Sequence, residues 1–118
     1  MNTNKETGNL GEDLAVDWLI AKGDHILHRN WRHSYYEIDI ITMRKDILCF
    51  IEVKTRRSLF YGMPEEAVTA SKIMRLMCAG SAYLTKYPDF NRIQYDILSI
   101  VILENGNTEF FLIEDVSL

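Results

Sequence analysis

Two prolines, six glycines, two cysteines and three histidines are all that this chain of 118 residues holds of the types that break, staple or chelate. So little proline and glycine argues against a disordered or low-complexity chain. No apolar run nears the roughly 18 to 20 residues that cross a bilayer, and the stretch Met1 to Glu6 is polar rather than a charged and then apolar leader. The expected compartment is therefore the cytoplasm. Nothing in the spacing of Cys49 and Cys78 suggests a metal pair, and both fall in apolar stretches, so buried free thiols are expected. His25 and His28 fall on opposite faces of a strand and His33 in a loop, which leaves no zinc pair. A glycine-rich phosphate loop, a dinucleotide fingerprint and a Ser or Cys nucleophile triad are missing too. Positive charge is also scarce. The 13 Lys and Arg against 17 Asp and Glu give a net charge of −4, which speaks against a large basic surface for nucleic acid.

What is present is an ordinary globular composition, 47% apolar and 25% charged, of a length that suits one domain over residues 1–118. Leu10, Leu14, Ala15, Trp18 and Leu19 hold helical spacing up to Lys22, with Gly23 as a C-terminal cap. Strand character follows at His25 to Arg29, Tyr35 to Thr42 and Ile47 to Lys54, with Met43 to Asp46 as a hairpin loop. Pro64-Glu65-Glu66 reads as a helix entrance, with a break near Thr69 to Ser71. Ile73, Leu76, Met77, Gly80, Tyr83, Leu84 and Tyr87 then keep helical spacing until Pro88 stops it. Ile93 to Leu103 and Thr108 to Ile113 read as strands joined by a turn containing Asn105-Gly106. The order αβββαββ predicts an α/β fold, a mixed sheet flanked by two helices, with a crossover that makes two strands parallel.

Strand alternation puts Glu37 and Asp39 on one face, with Ile38 and Ile40 on the other, and Glu52 and Lys54 on one face of the next strand. A four-residue loop at Met43 to Asp46 sets Glu37 opposite Glu52; a two-residue slip sets Asp39 opposite Glu52 instead. Either register gathers three carboxylates and an ammonium on one patch. Like charges facing each other on a sheet repel, and a hard divalent cation with oxygen ligands, Mg²⁺ or Mn²⁺, offsets that repulsion. Surface hairpins also carry Glu and Lys as plain cross-strand ion pairs. Two details weigh against that reading: Ile47 to Val53 is apolar enough for a central strand, and Glu52-Val53-Lys54 is the single acid-x-Lys triplet in the chain.

Asp39, twelve intervening residues and then Glu52-Val53-Lys54 resemble the acid, acid-x-Lys core of the restriction-endonuclease-like nucleases. More closely, Gly8-Asn9-Leu10-Gly11-Glu12, Asn30-Trp31-Arg32, Glu37-Ile38-Asp39-Ile40-Ile41, Glu52-Val53-Lys54-Thr55-Arg56 and Pro64-Glu65-Glu66-Ala67-Val68 resemble the YraN-like family of small bacterial proteins. The resemblance implies a fold similar to the archaeal Holliday-junction resolvases and a metal-dependent nuclease acting on DNA, branched DNA included. It also implies Glu12, Asp39 and Glu52 as ligands of Mg²⁺ or Mn²⁺ and Lys54 as the catalytic lysine. Glu12 comes from the resemblance alone; its spacing by itself suggests an acid favoured by the helix dipole. Gly8 and Gly11 beside it permit close backbone approach. Two positions depart from the family pattern: Tyr36 replaces a glycine, and Gln94 stands near a usual arginine.

Arg29, Arg32, Arg56, Arg57 and Lys72, with Arg75 beyond, are the candidate phosphate contacts, and Trp31, Tyr35 and Tyr36 the candidate stacking surfaces. Arg44 and Lys45 read as solvated loop charge, and Asp96 as a structural ion pair. Residues 22–57 carry eight basic against five acidic side chains, a local +3, whereas residues 103–118 carry four acids and no base. The acidic ends are therefore expected away from the face that meets phosphate. A resolvase-like reading would call for paired sites and hence a symmetric homodimer. The alternative is a non-catalytic nucleic-acid-binding or protein-interaction module on the same fold.

Overall fold

The computed structural model describes residues 4–57 and 68–117. The elements are α1 (Asn4–Ala21), β1 (His25–His33), β2 (Tyr36–Arg44), β3 (Ile47–Arg57), α2 (Ala70–Lys86), β4 (Ile93–Ile102) and β5 (Thr108–Ile113). The five strands form one sheet in sequence order, with β3 and β4 parallel and every other neighbouring pair antiparallel. This is the expected mixed sheet between two helices. The expected helix entrance at Pro64-Glu65-Glu66 lies outside the described residues. Thr69, where a break was expected, is instead the N-cap of α2, its hydroxyl accepting from Lys72 N at 3.2 Å.

Each helix covers one sheet face. Ala15 and Leu19 of α1 pack with Ile40, Cys49, Ile51, Leu98 and Ile100. Leu76, Ala79 and Tyr83 of α2 pack with Ile38, Ile41, Leu48, Phe50 and Tyr95. Gly80 allows the second contact, since a Cβ there would stand 2.7 Å from the Tyr95 ring. Trp18 of α1 stacks on Phe110 with centroids 5.3 Å apart. The two cysteines part company: Cys49 is buried, its thiol pushed up to about 12 by burial, whereas Cys78 is exposed. Position 78 falls off the helix stripe of Ile73, Leu76, Ala79 and Tyr83, and so misses the core. Among the described residues, no helix is long and apolar enough to cross a membrane.

Three corrections bear on the site. The β2–β3 loop is the two residues Lys45 and Asp46, because Arg44 pairs with Ile47. Lys45 takes the left-handed φ of 57° that such a turn needs. This is the slipped register, but the ladder ends at Ile40–Ile51, so Asp39 and Glu52 are not a ladder pair and Asp39 instead meets the Val53 N–H. Second, β1 runs on to His33, with Asn30 at φ 51°. The pairs Arg29–Ile40 and Trp31–Ile38 bracket Asn30 and Asp39, and across this irregularity Ile38 and Ile40 enter opposite cores instead of sharing a face.

Third, Arg44 is no solvated loop residue. Its guanidinium grips Asp24 through Nε at 2.9 Å and Nη2 at 3.0 Å. Nη1 reaches Asp96 at 2.9 Å and Glu114 at 2.7 Å. Asp24 and Asp96 are buried, and Asp96 also accepts from Gln94 Nε2 at 2.9 Å and Asp115 N at 3.0 Å. These carboxylates draw Arg44 into the strand and shorten the loop. The ion pair expected of Asp96 is this one, and Gln94 serves the same network as an amide donor. Removing the one cation of this network strands two buried carboxylates. Arg44→Met is therefore expected to cost about 3 to 5 kcal/mol in urea unfolding, whereas Arg92→Met, which breaks the exposed surface pair to Asp46, is expected to leave the urea midpoint nearly unchanged.

Candidate metal and nucleic-acid site

The opposite end of β2 is built differently. The β2–β3 ladder stops at Ile40–Ile51, while β3 stays paired with β4 to Arg57–Ile102. At the parting, Asp39 Oδ2 accepts the backbone N–H of Val53 at 2.8 Å, so a side chain caps the ladder where a carbonyl would continue it. Glu52 and Lys54 flank Val53 on β3. From the other face comes Glu12, mid-helix rather than in the first turn, because α1 begins at Asn4. Gly11 seats it: a Cβ there would overlap the Thr55 side chain of β3, the close approach that a residue without a side chain permits. Gly8 has open space around it and makes no such approach.

Asp39 joins the two sides. It lines a cleft with Thr7, Gly8, Glu12, Val53, Lys54 and Thr55, and also a groove with Glu52 and α2. Burial pushes its carboxyl up to about 7, the Val53 N–H opposes this, and the charges of Glu12, Glu52 and Glu37 raise it further. Glu12 is raised by burial, against the pull of Arg29. Glu52 is raised by burial as well, against Lys72, Arg75 and Lys54. Glu12 Oε1 and Glu52 Oε2 are buried and accept no hydrogen bond. Such oxygens fit a hard cation, since an unpartnered buried carboxylate is costly. Among the described residues, however, no three His, Cys, Asp or Glu side chains stand together as a ready metal-holding group.

The candidate phosphate contacts divide. Arg29 is tied to Asp13 at 2.7 Å, Arg32 to Glu37 at 3.3 Å, and Arg57 Nε donates to Thr7 at 3.1 Å. Lys72 does stand by the acids: burial and the charges of Lys54, Arg56 and Arg75 lower its pKa, while Glu52 holds it up. Arg75 belongs with the site more firmly than its sequence position alone suggested, and the signal was its i, i+3 spacing from Lys72. Trp31 packs edge-on to Tyr83 at 5.3 Å as a core residue, whereas Tyr35 and Tyr36 are exposed. Of the acidic tail, Glu114 and Asp115 lie at the Arg44 end, away from the site; Glu109 pairs with Val101, the β4 partner of Arg56, and so stays at the site end.

With this geometry in place, the model of the uncharacterised protein family UPF0102 matches residues 11–100. The chain belongs to that family. A UPF0102 protein of Dictyoglomus thermophilum is 46% identical over 104 residues, covering 87% of this chain and 88% of the relative. One of Chlorobium phaeobacteroides is 43% identical over 115 residues, covering 95% and 91%, and one of Rhodococcus opacus 43% over 103 residues, covering 86% and 87%. The UPF0102 match begins at Gly11 and spans all four core residues, Glu12, Asp39, Glu52 and Lys54.

The raised carboxyl of Asp39 has a consequence for stability. A carboxyl with a higher pKa folded than unfolded supports folding below its unfolded value of 3.8, and that support is lost as pH rises through about 7. Asp39→Asn keeps an acceptor for Val53 N without the charge. In chelator it is expected to raise the melting temperature at pH 8 by roughly 4 °C or more, and to lose most of that gain at pH 4. Equal melting at pH 8 would contradict the assigned charge burden.

Proposed function

We propose that this protein is a divalent-metal-dependent endonuclease that hydrolyses DNA phosphodiester bonds. The observation that carries the reading is the trio around the strand parting: two buried, unbonded carboxylate oxygens on Glu12 and Glu52, with Asp39 between them. Glu12, Asp39 and Glu52 would hold Mg²⁺ or Mn²⁺. Bound there, such a cation supplies charge neutralisation at the phosphate and a more acidic water. The chain's own groups do the rest. Lys54 neighbours Glu52 on β3 and carries the positive charge suited to orienting the attacking water and offsetting negative charge on the phosphorane. Lys72 and Arg75 lie along α2 as seats for flanking phosphates.

The net charge of −4 implies weak, salt-sensitive binding that leans on the cation. The missing three-ligand group among the described residues favours a second reading, a DNA-binding module without catalysis. Purified protein is expected to nick or cut DNA in Mn²⁺, with the rate falling at least about a hundredfold in Glu52→Ala and in Lys54→Ala while both variants stay folded. Equal rates in wild type and variants would contradict the assignment. Mn²⁺ titration by calorimetry separates the two readings: heat of binding is expected for wild type and not for Asp39→Ala, whereas salt-sensitive DNA binding without metal binding would favour the module.

A further inference from the structure

Beside the carboxylates lies a groove of about 460 Å³ between the β1–β2 turn and α2. Its volume falls in the roughly 300 to 1,000 Å³ range of small-ligand sites. Ile38 and Leu76 give it a buried apolar floor, and Tyr35, Tyr36 and Met74 stand around it, exposed by 98%, 40% and 51%. Asp39, Glu52 and Arg75 line it as well. We propose that this groove takes one unstacked nucleobase of the DNA strand being cut, next to the scissile phosphate. The substrate class that follows is DNA with unpaired nucleotides beside the cut, such as single strands, gaps, flaps and branch points, in preference to continuous duplex. The proposal rests on the nuclease reading of the same carboxylates.

Three features select this occupant. Aromatic faces and a soft methionine next to an apolar floor suit a planar base, which every sequence can present once it leaves the stack. The groove is continuous with the carboxylates, so a base inside it puts its own backbone within about one nucleotide of them. The charge matches as well: Lys54, Lys72 and Arg75 gather around Glu52 and can meet the phosphates on either side. An apolar protein segment seated there would cover Asp39 and Glu52 and bring no cation for them. Tyr36 lines this groove beside Tyr35, so the two exposed rings offer stacking faces next to the carboxylates.

The test measures fluorescence anisotropy of the full chain with labelled DNA at low salt, with Ca²⁺ as a hard cation to neutralise the carboxylates, comparing a single strand, a gapped duplex and a continuous duplex of one sequence. Wild type is expected to bind the single strand and the gapped duplex about tenfold tighter than the continuous duplex. The double variant Tyr35→Ala, Tyr36→Ala, both exposed and so tolerable to the fold, is expected to lose that advantage and leave duplex affinity within about twofold. An abasic nucleotide at one position of the gap is expected to cost wild type about tenfold and the double variant little. Equal weakening on all three DNAs, or no cost from an abasic nucleotide at any position, overturns the proposal. The nuclease reading is read separately, from Mn²⁺-dependent cutting by wild type and Glu52→Ala. Cutting of continuous duplex as fast as gapped DNA, unchanged by the tyrosine variants, leaves hydrolysis standing and overturns the groove. Base-dependent binding without any cutting supports the groove and contradicts hydrolysis.

Discussion

Asp39 accepts the N–H of Val53, and at that bond β2 parts from the central strand β3. The other features of the site depend on this constraint. β2 and β3 part beside the Glu52-Val53-Lys54 run, and Ile38 and Ile40, on either side of Asp39, pack into different cores. A strand that alternated regularly through this stretch would keep all its acids on one face. Here one carboxylate meets both a cleft on the α1 side and a groove on the α2 side, and α1 is drawn close enough at Gly11 to add Glu12.

The two ends of β2 solve the same electrostatic problem in opposite ways. At Arg44, two buried aspartates and Glu114 share one guanidinium, and the hydrogen bonds from Thr42, Gln94 and Asp115 fill further oxygen positions. That cluster is complete, so it holds the carboxyl-terminal segment against the sheet. Burial raises Asp96 there as it raises the acids around Asp39, but at the Asp39 end two carboxylate oxygens also go unbonded. A structure that can neutralise one acidic cluster with its own arginine, and leaves the other without such a bond, concentrates its unmet charge at one place. Unmet charge of that kind is a feature of functional sites more often than of structural ones.

Element order, the two helices and the β2–β3 and β4–β5 hairpins were legible from periodicity because each is a local pattern: Gly23 and Gly106 do sit at positive φ, and α2 stops before Pro88. The register was legible only as a pair of alternatives. Choosing between them required knowing that Asp24 and Asp96, twenty and fifty-two residues from Arg44, would pull it into the strand. The same non-local cause hid the Arg44 network, since nothing near Met43 to Asp46 announces a distant carboxylate. Glu52 and Lys54 could be read from an apolar strand that carries charge, whereas Glu12 came from family resemblance, its spacing matching an ordinary dipole-favouring acid. The basic residues were hardest to sort, because composition does not say that Arg29 and Arg32 face acids of this chain while Lys72 and Arg75 face Glu52.

The central claim is that Asp39 and Glu52 form one cation site at the strand parting. The most direct measurement is anomalous diffraction from a crystal grown with Mn²⁺ at pH 8, where Asp39 is ionised. The account predicts a manganese peak bonded to a carboxylate oxygen of Asp39 and one of Glu52 together. Well-ordered density for both side chains with no manganese between them would contradict it.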